Sequence, residues 1–167
     1  MFYNPSTTKQ KEQSAVCVFG TKPLFNFKAK RIQFADAALN IKSERTEKIC
    51  DLIIEKGIDI EWDCETRADN LNPSVLNKMK KAGCKWIAIG VESGNSRILK
   101  DVVKKGETKA QIKSGVNLIK KSGIKVRCFF ILGHYTEKEK EIKDTIDFAL
   151  ELNPDSRQYF YTKADER

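Results

Sequence analysis

The chain has 167 residues, of which 40% are hydrophobic and 32% are charged, and its formal net charge is +8. This length and composition are typical of about one soluble globular domain that can bury a sizeable core. No stretch approaches the roughly 18 consecutive apolar residues of a membrane span, and residues 1–5 lack the basic-then-apolar order of a secretory signal. We therefore expect a cytoplasmic protein with no membrane partner.

The cysteines are scattered along the chain at Cys17, Cys50, Cys64, Cys84 and Cys128. An odd number of cysteines without close pairs predicts reduced thiols, and it argues against both a disulfide framework and a zinc site. We therefore predict no metal ligands among them.

Six of the 31 basic residues form three lysine pairs that stand one or two residues before a glycine: Lys80-Lys81, Lys104-Lys105 and Lys120-Lys121. Paired cations followed by glycine favour a helix C-terminus, where they complement the negative end of the helix dipole. In a chain of alternating strands and helices, those helix ends lie opposite the carboxyl ends of the strands. The pairs are therefore interpreted as capping residues, and no nucleic-acid partner is expected.

Residues 1–29 fit no regular pattern, and we predict an atypical N-terminal segment there. A repeating rhythm begins at Arg31. Apolar or alternating runs predict strands over 31–35, 58–64, 85–91, 124–132 and 158–162.

Capping signals predict the helices between these strands. Ser43 and Gly57 bound the first, and Asn72-Pro73 begins the second. After the third strand, the apolar residues of 98–103 predict one helix, and the capping box Thr108–Gln111 begins another. A second capping box is predicted at Thr136–Glu139. The inward residues of the helix that it begins are predicted to be Ile142, Ile146, Ala149 and Leu150.

Strands that alternate with helices predict a parallel α/β sheet built from right-handed crossovers. Two architectures satisfy this pattern, an open doubly wound sheet and a partial (β/α) barrel. No G-x-G-x-x-G or G-x-x-x-x-G-K-[ST] follows a strand, which excludes the usual dinucleotide and P-loop sites. Polar residues follow four consecutive strands, and in a barrel these would converge on one mouth. We therefore favour the partial barrel.

These strand-end residues are Asp36, Glu65 with Arg67, Glu92 with Ser93 and Gly94, and His134. Each has a structural alternative. Asp36 could bind a ligand ammonium or form a turn. Glu65 and Arg67 could contact a ligand or pair with each other. The Glu92–Gly94 stretch could offer donors, acceptors and close backbone approach, or it could cap the next helix.

A multi-histidine metal site is excluded because His134 is the single histidine of the chain, and it fits a loop position. No Ser/His/Asp arrangement stands out. General acid–base catalysis by Glu65 and Glu92 as a pair is possible, but no specific spacing in the sequence supports it. No catalytic residue is assigned.

Six segments stand in the order and spacing of a known family: Ile32–Asp36, Trp62–Asp69, Ile89–Gly94, Lys104–Thr108, Phe130–Gly133 and Leu152–Asp155. Through them the chain resembles the core of the radical S-adenosylmethionine (SAM) enzymes, especially the branch associated with a cobalamin-binding domain. The resemblance implies a partial barrel with SAM across the strand ends. In that family a [4Fe–4S] cluster cleaves SAM reductively to a 5′-deoxyadenosyl radical. The resemblance further implies that Asp36 lies near the methionine amino group of SAM. It also implies that the cofactor is lined by Glu65, Arg67, Glu92, Ser93 and Gly94.

The chain departs from the family at the cluster motif. The family holds its cluster with C-x-x-x-C-x-x-C after the first strand, whereas this chain has Cys17 alone in that region. We therefore expect an incomplete barrel over residues 30–157, lacking the first strand unit, with a truncated last strand and tail over 158–167.

This expectation has functional consequences. Such a fragment would not be catalytically competent alone, and cobalamin would belong to full-length relatives. The alternatives are a non-catalytic SAM-binding or scaffold module and, less favoured, a basic nucleic-acid-binding protein. The unpaired edge of the 31–35 strand could also promote self-association.

Overall fold

The computed structural model describes residues 31–35, 39 and 43–162. The strands in this part are β1 (Arg31–Phe34), β2 (Glu61–Thr66), β3 (Cys84–Glu92), β4 (Lys125–Leu132) and β5 (Ser156–Tyr161). The helices are α1 (Ser43–Glu55), α2 (Pro73–Lys81), α3 (Lys109–Lys121) and α4 (Glu139–Leu152). The predictions for residues 1–29 and for Asp36 fall on residues outside the described ranges. Self-association at the edge of β1 stays a prediction.

The described strands form one parallel sheet in the order β1-β2-β3-β4-β5. Each new strand is added to the same side of the preceding one. A doubly wound sheet instead reverses direction at a switch point. The sequential order therefore confirms the predicted partial barrel over the doubly wound alternative.

Side chains alternate between two faces of the sheet. One face packs against the helices, and its side chains are fully buried at Trp62, Ile87, Ile89, Val126 and Cys128. The other face, here called the open face, keeps partly accessible side chains at Asp63, Glu65, Arg127 and Phe129, and Gly90 lies on the same face. Burying one large apolar side chain contributes about 1.5–3 kcal/mol, so the helix side supplies most of the stabilising burial.

Local signals explain where the helices start. The Asn72 side chain accepts a hydrogen bond from Val75 N at 2.9 Å, and Pro73 occupies the first helical position of α2. The backbone N–H of Thr108 donates to Gln111 Oε1, while Gln111 N donates to Thr108 Oγ1. Both predicted N-termini are therefore confirmed. None of the helices described is both long and apolar enough to cross a bilayer.

Helix α4 differs from the prediction in its start and in its buried face. Its capping contact is the donation from Lys138 N to Glu141 Oε2 at 2.8 Å, so the predicted box at Thr136–Glu139 was wrong. Ile146 and Leu150 are 41% and 59% exposed, which contradicts their predicted inward position. The buried face carries polar residues because each finds a partner: Glu141 pairs with Arg97, and Thr145 is hydrogen-bonded within the core.

The helix predicted over 98–103 is a single π-helical turn, Ile98–Val102. Leu99 N donates to Asn95 O, whereas Val103 N donates to Ile98 O, so the hydrogen-bond ladder widens within this turn. Lys104 then adopts a φ of +53° and Gly106 a φ of +74°. These two left-handed residues turn the chain back toward the carboxyl ends of the strands.

Candidate functional site

Charged side chains gather where β2 and β3 end, on the side of the sheet that the helices leave open. We call this group the strand-end cluster: Arg67, Asp69, Glu92, Lys105 and Glu107. Arg67 and Asp69 follow β2, whereas Glu92, Lys105 and Glu107 belong to the end of β3 and its following loop. The carboxyl ends of parallel strands are where α/β proteins bind ligands.

Glu92 sits in an unusual backbone conformation at the last position of β3. Its φ is +69°, and the pairing of β3 with β4 shifts register between Gly90 and Glu92. A left-handed conformation costs a non-glycine residue about 1–2 kcal/mol. It folds the Glu92 carboxylate back over Gly90, where a Cβ would lie only 2.3 Å from Glu92 Oε1. The missing side chain at Gly90 therefore makes room for this carboxylate.

Lys105 connects two of the carboxylates. Its Nζ lies 3.7 Å from Glu92 Oε1 and 3.2 Å from Glu107 Oε2, and its side chain is 13% exposed. The interpretation of Lys104-Lys105 as a helix cap opposite the carboxyl ends of the strands was therefore wrong for Lys105. Because the preceding helix is a single turn, the chain returns early and brings Lys105 to the carboxyl ends of the strands.

Glu107 ties the loop after β3 to the turn after β2. Its side chain is completely buried, and its Oε1 accepts hydrogen bonds from Ala68 N at 2.8 Å and Asp69 N at 3.2 Å. The same turn packs closely on α3, since a Cβ at Gly115 would lie 2.5 Å from Ala68 O. These contacts hold the turn that carries Arg67 in a fixed position.

Arg67 is held by charge and by the backbone. It donates from Nε and Nη2 to the two carboxylate oxygens of Asp69, at 3.0 and 2.7 Å, and from Nη1 to Lys105 O at 3.3 Å. Its Nη2 also lies 3.7 Å from Glu107 Oε2. The hydrogen bonds that Arg67 donates to Asp69 raise the pKa of Arg67 and lower the pKa of Asp69. Both side chains stay charged at neutral pH.

Ser93 and Gly94 face the helices, on the opposite side from the Glu92 carboxylate. Ser93 is fully buried, and its hydroxyl lies 3.1 Å from that of Thr145 on α4. Gly94 N donates to the same Thr145 oxygen at 2.9 Å, and a Cβ on Gly94 would lie 2.5 Å from Asp144 O. The pair therefore anchors the end of β3 to α4 and fixes the backbone that presents Glu92.

A bidentate ion pair holds the segment that follows β3 against α4. Arg97 donates from Nε to Glu141 Oε1 at 2.6 Å and from Nη2 to Glu141 Oε2 at 2.7 Å. Arg97 Nη2 also donates to Thr136 O at 3.0 Å. The hydrogen bond from Arg97 holds the pKa of Glu141 at about 2. The ends of β3 and β4 are thereby locked to α4.

The other strand-end predictions fall in different places. Glu65 lies on the open face beside Ala88 in the β2–β3 ladder, two positions before Gly90. His134 lies in the loop after β4, where its backbone N–H donates to Glu137 Oε2 at 3.0 Å. The structure therefore places Glu65, Arg67 and Glu92 on one side of the sheet and leaves His134 in a loop, as predicted.

An aromatic surface adjoins the cluster. Phe129 pairs in register with Gly90, and its ring lies 5.8 Å from that of Phe160 in an edge-to-face arrangement. The residues that sequence reasoning missed are therefore Asp69, Lys105, Glu107 and these two rings. Lys105 and Glu107 fall within the Lys104–Thr108 segment of family-like sequence, and that segment was the available signal.

The described cysteines lie away from this site. Cys50, Cys64, Cys84 and Cys128 are buried in the core. Burial raises the pKa of Cys50 and of Cys128 to about 12, which opposes the thiolate form that iron requires. In the part of the chain that the structure describes, no three acidic, cysteine or histidine side chains are grouped to hold a metal. The thiols present there do not fit a [4Fe–4S] cluster.

Known proteins match both the sequence and the fold. The model of the Radical SAM superfamily matches residues 8–149. An uncharacterized methyltransferase of Pyrococcus horikoshii is 33% identical over 135 residues, which are 81% of this chain and 29% of that protein. The anaerobic magnesium-protoporphyrin IX monomethyl ester cyclase of Rubrivivax gelatinosus is 27% identical over 123 residues, 72% of this chain and 22% of that protein.

Solved structures show the same fold. The radical SAM methyltransferase TsrM of Kitasatospora setae, solved with cobalamin and a [4Fe–4S] cluster, has a TM-score of 0.75 at 14% identity over 89% of this chain and 28% of its own. The cobalamin-dependent radical SAM enzyme OxsB has a TM-score of 0.65 at 25% identity over 72% of this chain and 19% of its own. This chain thus spans less than a third of each of these proteins. The family match over residues 8–149, with the sequential parallel sheet, shows that the chain belongs to the radical SAM superfamily.

Proposed function

We propose that this chain is the SAM-binding part of a radical SAM catalytic barrel. The observation that carries the proposal is the Glu92 carboxylate folded over Gly90, with Lys105 and Arg67 nearby, at the carboxyl ends of parallel strands. SAM carries an ammonium, a carboxylate and a sulfonium, so a site for it needs charges of both signs. The strand-end cluster offers both.

The predicted residues take distinct parts in this proposal. Glu92 and Glu65 accept hydrogen bonds from ammonium or hydroxyl groups, and Arg67 faces the ligand's negative charge. Asp36 contacts the methionine amino group. Ser93 and Gly94 act indirectly, because their hydrogen bonds to Thr145 hold the backbone of Glu92. Phe129 and Phe160 supply an apolar surface for the uncharged portion of the ligand.

We further propose that the chain does not cleave SAM alone. In the family, the [4Fe–4S] cluster supplies the electron for reductive cleavage, and three close cysteines hold it. Here the closest cysteines in sequence are Cys50 and Cys64, and both are buried. The chain would then act either as part of a longer protein or as a non-catalytic SAM-binding module.

The reaction class of a longer protein built on this barrel is a separate proposal. Methyl transfer is named for the P. horikoshii relative and for the K. setae structure. We propose methyl transfer for such a protein, with cobalamin and the cluster supplied by segments other than residues 43–162.

Calorimetric titration of the purified chain with SAM, in parallel with anaerobic incubation with iron and sulfide, tests these proposals. Saturable SAM binding without the broad visible absorption of a four-iron cluster is expected. Absence of SAM binding would overturn the SAM-binding proposal. A stable cluster spectrum would overturn the claim that the chain is not competent alone.

A further inference from the structure

Lys105 is shared between two carboxylates of unequal character. Glu107 is the nearer, at 3.2 Å against 3.7 Å for Glu92. The Glu107 side chain is fully buried, whereas that of Glu92 is 23% exposed. Attraction between opposite charges grows as the distance shortens and as water is excluded. The contact with Glu107 is therefore the stronger of the two.

The two acids also differ in freedom to move. Glu107 Oε1 is fixed by the backbone N–H groups of Ala68 and Asp69. Glu92 contacts Gly90 through the far end of a flexible side chain. The Glu92 side chain can therefore reorient toward a cation that binds at the open face, whereas the Glu107 side chain cannot.

We propose that Lys105 is an exchangeable counter-ion for Glu92, and that Glu107 is the positioning residue that makes the exchange possible. Before a ligand binds, Lys105 neutralises the half-buried carboxylate of Glu92. A cationic group of the ligand then replaces Lys105 at Glu92, and Lys105 stays paired with Glu107. The ligand class is a cation-bearing molecule, and under the proposed function it is the ammonium or sulfonium of SAM.

This arrangement lowers the electrostatic cost of ligand binding. Leaving a buried ammonium without its counter-ion is expensive, and Glu107 prevents that outcome. With glutamine at 107, Glu92 is the acid that remains at ion-pair distance from Lys105 among the described residues. Lys105 would then compete with the ligand for Glu92, and the competition disappears if Lys105 also loses its charge.

The direct test compares SAM binding by calorimetry in the wild-type chain, Glu107→Gln, and the double variant Glu107→Gln/Lys105→Met. We expect the single variant to bind about tenfold more weakly and the double variant to recover to within about threefold of wild type. The neighbouring exposed lysine serves as the matched control, so Lys104→Met should bind like wild type. A double variant as weak as Glu107→Gln would overturn the proposal, because it would mean that Glu107 acts only through the architecture of the loop.

A second measurement needs no ligand and therefore separates this inference from the SAM proposal. Acetic anhydride labelling followed by mass spectrometry reports how well Lys105 is protected. Glu107→Gln should speed labelling of Lys105 more than Glu92→Gln does, since Glu107 is the stronger anchor. The opposite order would overturn the inference even if the wild-type chain binds SAM. If the wild-type chain binds no SAM, the proposed function fails, and the labelling order still decides whether Glu107 anchors Lys105.

Discussion

The Glu92 carboxylate occupies the space that a side chain at position 90 would need, because a Cβ on Gly90 would lie 2.3 Å from Glu92 Oε1. The same Cβ would lie 3.6 Å from Lys105 Nζ. A glycine in the middle of a strand weakens it, since glycine loses more conformational freedom on folding. The presence of glycine at position 90 is explained by the charged groups of Glu92 and Lys105, which lie where a larger side chain would be.

Substitution of this glycine should affect binding far more than folding. In Gly90→Ala, the atom that must give way is the end of the flexible Glu92 side chain. The free energy of unfolding should change by less than about 1 kcal/mol, whereas the affinity for SAM should fall about tenfold. Urea unfolding and calorimetry on the same sample check both values. Unchanged SAM affinity would show that the position of Glu92 is irrelevant to the ligand.

Substitution of Gly94, in contrast to Gly90, should affect folding strongly. A Cβ at Gly94 would lie 2.5 Å from Asp144 O and 2.7 Å from Thr145 Cα, which are backbone atoms of α4. Because a helix backbone cannot move aside as a side chain can, Gly94→Ala should destabilise the fold by about 2–3 kcal/mol. Urea unfolding against Gly90→Ala as the matched control measures the difference. Equal stabilities of the two variants would contradict this packing argument.

The Arg97–Glu141 pair should make stability depend on acid pH. The hydrogen bonds that Arg97 donates to the Glu141 carboxylate lower the pKa of Glu141 from its ordinary value of 4.5 to about 2. A carboxyl group with a lowered pKa stabilises the fold above its unfolded pKa and loses that contribution as pH falls through the folded value. The stability gap between wild type and Arg97→Met should therefore be constant above pH about 4.5 and shrink toward pH about 2.

Urea unfolding of both proteins across this pH range measures that gap. The exposed pair of Lys143 with Asp147, whose side chains are 73% and 57% accessible, provides the control. Lys143→Met should change stability little at any pH, because solvent screens exposed pairs. A gap for Arg97→Met that does not narrow in acid would argue against the assigned pairing.

The buried thiols should resist modification while the chain is folded. Burial raises the pKa of Cys50 and Cys128 to about 12, so thiolate is scarce at neutral pH. 5,5′-Dithiobis(2-nitrobenzoic acid) should label both only after urea unfolds the chain. Peptide mapping distinguishes them from Cys17, which lies outside the described residues. Fast labelling of Cys128 in the native chain would contradict its burial.

Sequence patterns predicted most of the architecture because the relevant forces are local. The Asn72 cap, the Thr108–Gln111 box and the apolar run of β3 each depend on residues within a few positions of one another. Their alternation was sufficient for a parallel sheet. The predicted strand bounds placed Glu65, Arg67 and Glu92 at the carboxyl ends of strands, where the structure has them on one side of the sheet.

Apart from the capping box at Thr136–Glu139, the predictions that went wrong depended on distant partners. Hydrophobic periodicity predicted that Ile146 and Leu150 lie on the buried face of α4, but both are exposed. Thr145 lies on that face instead, because its hydroxyl forms a hydrogen bond with Ser93, 52 residues away. Local pattern also made Lys105 a helix cap. A single π-helical turn instead returns the chain to the strand ends, and Glu107 buries its charge against Lys105 and the turn after β2.

The sequence by itself therefore determined the order of elements, the parallel sheet and the residue types at the strand ends, since capping and periodicity act over a few residues. Only the tertiary structure decided which of those side chains share a site. Glu92 faces Lys105 because Gly90 leaves room, whereas the adjacent Ser93 turns to the helix side and Thr145. Such pairings depend on contacts between segments far apart in the chain, and no local pattern encodes them.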